Sequence, residues 1–369
     1  MGKTYHAVGL MSGSSLDGLD VGYCRFEVSA PFQILSWQLL KADCLPFSPA
    51  WEKRLQETPL LGGAALAEAS TAFGHYQGQL VNGFFEENNI SPANIDLIAS
   101  HGHTVFHEPS KGFTVQIGDG ASLAALTGCT VVCDFRSSDI ALGGQGAPLA
   151  PMADKMLYPG YDFYLNLGGI ANLTCNAFGN FIAFDITGAN QVLNALVNDI
   201  GLPFDENGGL AASGQLEERL FAQLNSFPFF KQPYPKSLSN QWVQGNPVKT
   251  CRESTGAIPD KLHTVCRHVA FQLEQTIKEV VEKEGFKKEK YRMLATGGGV
   301  FNGFLMKCIR EECTQATVLV PEINMIKFKE ACLMALLGVM RLEGVPNCMS
   351  SVTGAERDTI GGAVYHGQL

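Results

Sequence analysis

The 369-residue chain has little of what would send it to a membrane or to nucleic acid. No apolar run is long enough to span a bilayer, and no charged start leads into an apolar signal segment. Basic residues are in the minority, 27 Lys and Arg against 36 Asp and Glu, and the net charge of −9 argues against nucleic acid or an anionic membrane surface as a partner. The eleven cysteines contain no Cys-x-x-Cys pair and no regular framework. Cys24, Cys133, Cys175 and Cys332 lie in apolar stretches and read as buried free thiols, so a reduced, cytoplasmic protein is expected. There is no strict repeat and no low-complexity tract.

What is present is glycine at the ends of strands. Residues 11–20 read MSGSSLDGLD between two apolar runs, His6-Ala7-Val8-Gly9-Leu10 and Val21-Gly22-Tyr23-Cys24-Arg25-Phe26, which pair as a hairpin. The turn offers the N–H groups of Gly13, Ser14 and Ser15 as an anion cradle, followed by Leu16, Asp17, Gly18, Leu19 and Asp20. A carboxylate there, Asp17 first, suits the metal that accompanies a polyphosphate. The plainer reading of the same decamer is a polar hairpin with Asp-Gly turn chemistry. No Walker lysine follows, which excludes a P-loop. Two more strand-to-glycine junctions stand downstream: NLGGIANLT at 166–174, with Gly168 and Gly169, and TGGGVFN at 296–302, with Gly297, Gly298, Gly299 and Asn302. The last runs into a helical pattern, and three such turns suggest several backbones converging on one phosphorylated ligand.

That arrangement resembles the sugar kinase, Hsp70 and actin superfamily, and within it the anhydro-N-acetylmuramic acid kinases, over nearly the whole chain. The family's start GxMSGTSLDGxD stands as residues 9–20 with Ser14 for threonine, and HGQTVxHxP as HGHTVFHEP at 101–109 with His103 for glutamine. QIGD at 116–119, DFRxxDxAxGGQGAPLxP at 134–151, NxGGIANLT, the glycine triplet with its asparagine, Glu330-Ala331 and SVTGA at 351–355 follow in order. The resemblance implies an α/β chain of two actin/hexokinase-like (ribonuclease H-like) domains with mixed sheets closing over an interdomain cleft. It further implies ATP with Mg²⁺ as cofactors and a small-molecule sugar substrate, with a homodimer allowed for. The implied activity is an ATP-dependent kinase that opens the 1,6-anhydro ring of anhydro-N-acetylmuramic acid and phosphorylates the 6-oxygen, giving N-acetylmuramic acid 6-phosphate and ADP in peptidoglycan recycling. The alternatives are a kinase for another anhydro-sugar and a nucleotide-binding relative without phosphotransfer.

Such a reaction needs a general base for the attacking water. Asp185 ends the apolar run 180–184 beside a helix start, where it serves either as that base or as an N-cap of a helix over 190–200. The family's DTGPGN, whose aspartate is the base, stands here as DITGAN. Asp185 and Asn190 are kept, Asn190 being expected at the substrate, and the four residues between them are changed. The family's KSTGRE stands as KSLSNQ at 236–241, without its arginine and glutamate. Asn194 replaces an aspartate, and Lys327-Phe328 an acidic pair. Arg136 is either a planar fork for a substrate group or half of an internal pair with Asp134 or Asp139. Gln145 lies in the loop 143–146, where glycines allow a ligand close to the backbone and Pro148 is expected to start a helix. His101 and Thr104 are expected at the sugar, whereas the spacing of His101, His103 and His107 is a poor match to a zinc site. Glu330 is a first-turn helix acid or, as the family suggests, a cleft residue.

Length and apolar content suit two domains, divided near residue 158: 1–158 with the hairpin and substrate loops, and 159–369 with the base and adenosine motif. The last ~20 residues are allowed to pack back on the first domain. Strands are expected at 5–10, 19–27, 33–41, 95–100, 114–116, 130–133, 162–167 and 180–185. Helices are expected near 64–88, 190–200, 215–225, 258–285 and 327–341, and residues 227–250, rich in Pro, Asn and Ser, as a loop.

Overall fold

A computed structural model describes residues 2–13 and 16–367. The chain forms two compact units, Met1–Pro159 together with Phe328–Leu369, and Gly160–Lys327. In the first, strands β1 (Lys3–Ser12), β2 (Gly18–Ser29) and β3 (Gln33–Pro46) form an antiparallel meander. Strand β4 (Leu97–Ser100) runs parallel to β1, β5 (His103–Glu108) and β6 (Phe113–Ile117) make a separate hairpin, and β7 (Val131–Cys133) runs parallel to β4. Ala363–Tyr365 closes the sheet beside β7, giving the order Ala363–Tyr365, β7, β4, β1, β2, β3.

Each face of this sheet is buried for a reason visible in the sequence. Helix Gly63–Glu87 presents Phe73, Gln77, Val81 and Phe84 at helical spacing. Phe73, Val81 and Phe84 pack with Val8, Leu10, Leu19, Val21 and Ile98 of the strands. Helix Lys329–Leu342 is apolar almost all round, with Ala331 to Met340 buried throughout, so it needs cover on every side. Its burial with the first unit brings the chain back from Phe328, further upstream than the last ~20 residues.

The helix sits close to the sheet because Gly9 and Gly22, paired across β1 and β2, leave a seat for it. A Cβ on Gly9 would lie 1.8 Å from the Ala331 carbonyl oxygen, which is backbone and cannot step aside. Gly9→Ala is therefore expected to destabilise the fold by about 3 kcal/mol, the upper part of the usual overpacking range. A urea midpoint equal to wild type would contradict this close approach.

In the second unit β8 (Phe163–Leu167), β9 (Ile170–Ala177) and β10 (Asn180–Gly188) are antiparallel neighbours. Strands β11 (Tyr291–Thr296) and β12 (Ala316–Leu319) then add in parallel on the other side of β8. The order β10-β9-β8-β11-β12 repeats that of β3-β2-β1-β4-β7, so both sheets are mixed and ribonuclease H-like. Helix Ile258–Lys283 runs through the core of this unit, with Leu262, Val265, Val269, Leu273 and Ile277 buried at three- and four-residue spacing. Among the described residues no helix is long and apolar enough to cross a membrane.

Several local expectations differ from the structure. Strands β5, β9, β12 and Ala363–Tyr365 are not among the expected strands, β9 because its alternation begins inside the glycine junction. The expected loop 227–250 is largely helical from Asn240, since Ser239 accepts from the Trp242 N–H and caps a run of turns through Glu253. Pro148 lies before the helix Ala150–Leu157, and Pro151 occupies its first turn.

Candidate active site

In the first unit, the hairpin turn joins β1 to β2, with Ser12 opposite Leu19. Ser14 and Ser15 lie outside the described residues. Gly13 ends the approach, and Leu16 takes a left-handed conformation at φ 60°. Leu19 is wholly buried in the core, so only its backbone is available to a ligand, and Gly18 packs against the Leu45 carbonyl. Asp17 is exposed and Asp20 half-buried. Burial pushes the Asp20 carboxyl up, the Cys44 thiol opposes this by donating to it, and the Asp17 carboxylate pushes it further up. Ser12 is buried, with its Oγ 3.1 Å from His103 Nδ1.

Beside the strand ends, Arg136 is held by His101 and the 143–146 loop. Its Nε and Nη2 lie 3.0 and 2.8 Å from His101 Nε2, and Nη1 donates to the Gly146 carbonyl at 2.6 Å. Because a guanidinium only donates, His101 Nε2 must accept, and Nδ1–H then faces the Gly102 carbonyl at 3.0 Å. Burial, with Arg136 adding, lowers the His101 pKa to about 3, so the ring is neutral. Among the described residues Arg136 makes no ion pair with Asp134 or Asp139. Asp134 instead accepts from Ser137, and Asp139 from Gly146 N, Thr353 Oγ1 and Cys348 Sγ.

Gln145 is exposed, its N–H donating to Thr353 O, and Thr104 is exposed and accepts from Gln116. Glu330 opens the helix Lys329–Leu342 and is reached by solvent. Surrounding protein pushes its carboxyl up, Asp20 adds to this, and Lys329 and Arg136 oppose it. The preceding Lys329 is buried against Asp154 at 2.5 Å, which fixes the start of the helix. Asp17, Asp20, Glu330, Arg136 and His101 thus form one electrostatically linked group, while Thr104 stands outside it.

In the second unit the two glycine turns share a frame. The N–H groups of Ala189 and Gln191 donate to the Gly169 carbonyl and that of Asn190 to the Gly168 carbonyl, docking helix Asn190–Asn198 on the β8–β9 turn. Asn190 Nδ2 donates to Leu167 O at 3.2 Å. Gly297 has φ 85°, and a Cβ on it would meet Asn166 Oδ1 at 2.6 Å, so only glycine closes this turn against β8. Gly298 is exposed and faces open space apart from Asn190, and Gly299 packs on Leu167. The N–H groups of Gly168, Gly169, Gly298 and Gly299 have no backbone acceptor among the described residues, an arrangement that is able to take an anion. Asn302 caps the helix Gly303–Glu312, its Oδ1 accepting from Leu305 N at 2.9 Å.

Asp185 lies on β10 at a break in register, with Asp185 opposite Asn172 and Thr187 opposite Ala171. It does not cap the following helix, whose N-cap Ala189 has no side-chain hydrogen bond. Its Oδ2 accepts from Leu238 N at 2.7 Å, its N–H donates to Lys236 O at 2.9 Å, and Oδ1 has no hydrogen-bond donor among the described residues. Burial pushes this carboxyl up, with the Leu238 N–H opposing. Lys236 donates to the carbonyls of Phe229, Phe230 and Gln232, which ties the 236–238 segment in place. Where the family pattern carries arginine, Asn240 accepts from Gln191 Nε2 at 2.6 Å. The clamp on Asp185 was not legible beforehand, because KSLSNQ carries no spacing that ties it to β10.

A family model described as anhydro-N-acetylmuramic acid kinase matches residues 5–367. Proteins named anhydro-N-acetylmuramic acid kinase are similar along their length. The one from Methylorubrum populi is 33% identical over 97% of this chain and 98% of its own, and the one from Nitrosomonas europaea 32% identical over 97% and 99%. The one from Coxiella burnetii is 33% identical over 98% and 97%. Among solved structures, the activator of the 2-hydroxyisocaproyl-CoA dehydratase from Clostridium difficile with bound ADPNP aligns at TM-score 0.42 and 12% identity, covering 92% of this chain and 96% of that one. With a family match across nearly all of its length, the chain belongs to the anhydro-N-acetylmuramic acid kinase family.

Proposed function

We propose that the protein is an ATP-dependent kinase that hydrolytically opens 1,6-anhydro-N-acetylmuramic acid and phosphorylates its 6-oxygen, a cytoplasmic step of peptidoglycan recycling. The observation that carries this reading is Asp185. It is a desolvated carboxylate at a strand bulge, with one oxygen held by Leu238 N and the other without a donor among the described residues.

In the anhydro-sugar the 6-oxygen is locked in an acetal and carries no proton. Water attacks the anomeric carbon and gives its proton to Asp185 while the bond from that carbon to the 6-oxygen breaks. The released oxygen takes the γ-phosphoryl group, and ADP leaves. Burial raises the carboxyl pKa and so makes Asp185 a better proton acceptor for the attacking water. The open N–H groups of Gly168, Gly169 and Gly298, with Gly13, serve the phosphates, and Gly297–Gly299 and Asn302 border the adenosine. His101, Arg136, Gln145 and Glu330 serve the sugar. Arg136, pre-set by His101 and Gly146, has donors left for a carboxylate or amide oxygen.

The residues present fit the Mg²⁺ that accompanies ATP. Asp17 and Asp20 are neighbouring hard-oxygen donors, the Asp20 carboxyl being raised first by burial and further by the Asp17 carboxylate, and a divalent ion needs only one or two such carboxylates beside the phosphates. When bound, it would neutralise charge on the phosphoryl oxygens.

The test is ADP release with 1,6-anhydro-N-acetylmuramic acid, levoglucosan and free N-acetylmuramic acid. The first should be used best. Its KM should be raised relative to relatives with the KSTGRE arginine, since losing one charge-assisted contact costs about 1.5–3 kcal/mol. Free N-acetylmuramic acid as best substrate would sink the ring-opening chemistry. Silence with all three would favour a nucleotide-binding relative without phosphotransfer.

A further inference from the structure

Between Asp185 and the first helical residue, Asn190, this chain departs from its family pattern. Thr187 stands where the pattern DTGPGN has its first glycine. Its side chain is wholly buried, with Oγ1 2.9 Å from Nε2 of His268, itself 1% exposed in the middle of helix Ile258–Lys283. The direction of the chain of bonds is fixed from its far end. Asn225 Nδ2 donates to Phe221 O at 2.8 Å, so Asn225 Oδ1 is the acceptor for Gln272 Nε2 at 2.7 Å and for His268 Nδ1 at 2.8 Å. His268 Nε2 is then the acceptor, and the Thr187 hydroxyl must donate. The Phe230 ring packs edge-on against the imidazole, 5.4 Å between centroids, and holds its plane.

Thr187 is the residue at which β10 regains register after the bulge. Bulges re-aim side chains, and the one re-aimed here is Asp185. The bulge is held on one side by Lys236 O and Leu238 N at Asp185, and on the other by His268 at Thr187. We propose that Thr187 and His268 are positioning residues for Asp185: the buried hydroxyl–imidazole bond fixes the bulge and so sets where the carboxylate points. The inference rests on Asp185 being the base of the proposed reaction. Burial keeps the imidazole neutral, its pKa lowered to about 3, so the pair places no charge behind the base.

Thr187→Val removes the hydroxyl at constant shape, and Thr187→Ser keeps it. For Thr187→Val, kcat for sugar-dependent ADP release should fall about tenfold, less than the roughly hundredfold that a 1 Å misplacement can cost. KM for ATP should stay within about twofold, because the phosphate turns are untouched. The ¹³C-detected titration of the Asp185 carboxyl should move down, toward ordinary aspartate, as the loosened side chain gains water. Thr187→Ser should restore both. If Thr187→Val does not fold, His268→Asn takes its place, keeping the Asn225 contact and losing Thr187. Wild-type kcat together with an unmoved Asp185 titration, whatever happens to melting temperature, would overturn the proposal. If the wild-type protein releases no ADP with any sugar, the functional reading fails, and the carboxyl titration alone decides whether the pair sets Asp185.

Discussion

Asp185→Asn is expected to abolish sugar-dependent ADP release while leaving Mg-ATP affinity nearly unchanged. The amide has the same shape and still accepts from Leu238 N, but it cannot take a proton from water. A positioned base contributes about 10²–10⁴-fold, so residual turnover of about 1% or less is expected. The pH dependence follows from burial. Because burial raises the Asp185 pKa, the acid limb of kcat in the wild type should lie above the ordinary aspartate value near 3.8. The sign for stability is the opposite of a salt-bridged aspartate. A raised folded pKa means the ionised form is disfavoured on folding, so this group's contribution worsens as pH rises through that value. Asp185→Asn should therefore be no less stable than wild type at neutral pH. Turnover near wild type, with the fold intact, would remove Asp185 as the base.

Asp139→Ala is expected to cost about 3 kcal/mol of stability. Asp139 is wholly buried and accepts from Gly146 N at 2.7 Å, Thr353 Oγ1 at 2.7 Å and Cys348 Sγ at 3.3 Å. Its loss leaves those donors unpaired and a cavity against Gly144, whose backbone approaches so closely that a Cβ there would lie 2.2 Å from Asp139 Oδ2. The effect should reach Arg136, proposed to serve the sugar, because Gly146 O is also the acceptor for Arg136 Nη1. We expect kcat/KM for sugar to fall more than that for ATP. Denaturant unfolding and steady-state kinetics of the purified variant check both, and an unfolding midpoint equal to wild type would contradict the role assigned to Asp139.

Much of the fold was legible because local patterns and tertiary demands agree. The hairpin 11–20, the helix over 63–87 and the glycine triplet before the helix Gly303–Glu312 each announce themselves through apolar period and turn chemistry. What was not legible depends on long-range placement. The return of Lys329–Leu342 to the first unit needs the glycine seat on β1 and β2, which no window around residue 330 contains. For Arg136 the sequence leaves two readings, a planar fork for a substrate group or a pair with Asp134 or Asp139, the nearest carboxylates in sequence. The structure gives it His101, 35 residues away, and a backbone carbonyl. The Thr187–His268 bond spans 81 residues, and a buried histidine in a helix carries no spacing that names its partner. In DITGAN the sequence marks a departure. Only the packing behind β10 accounts for the threonine.

In the proposed reaction, ring opening and phosphoryl transfer occur on one sugar in one turnover. A brief reaction of the protein with Mg-ATP and 1,6-anhydro-N-acetylmuramic acid in ¹⁸O-water, quenched before the anomeric hydroxyl exchanges, tests it most directly by mass spectrometry of the products. N-acetylmuramic acid 6-phosphate is expected in equal amount to ADP, with the heavy oxygen on the anomeric carbon and none in the phosphate. Heavy oxygen in inorganic phosphate, with the sugar recovered unopened, would show water attacking ATP and contradict the account.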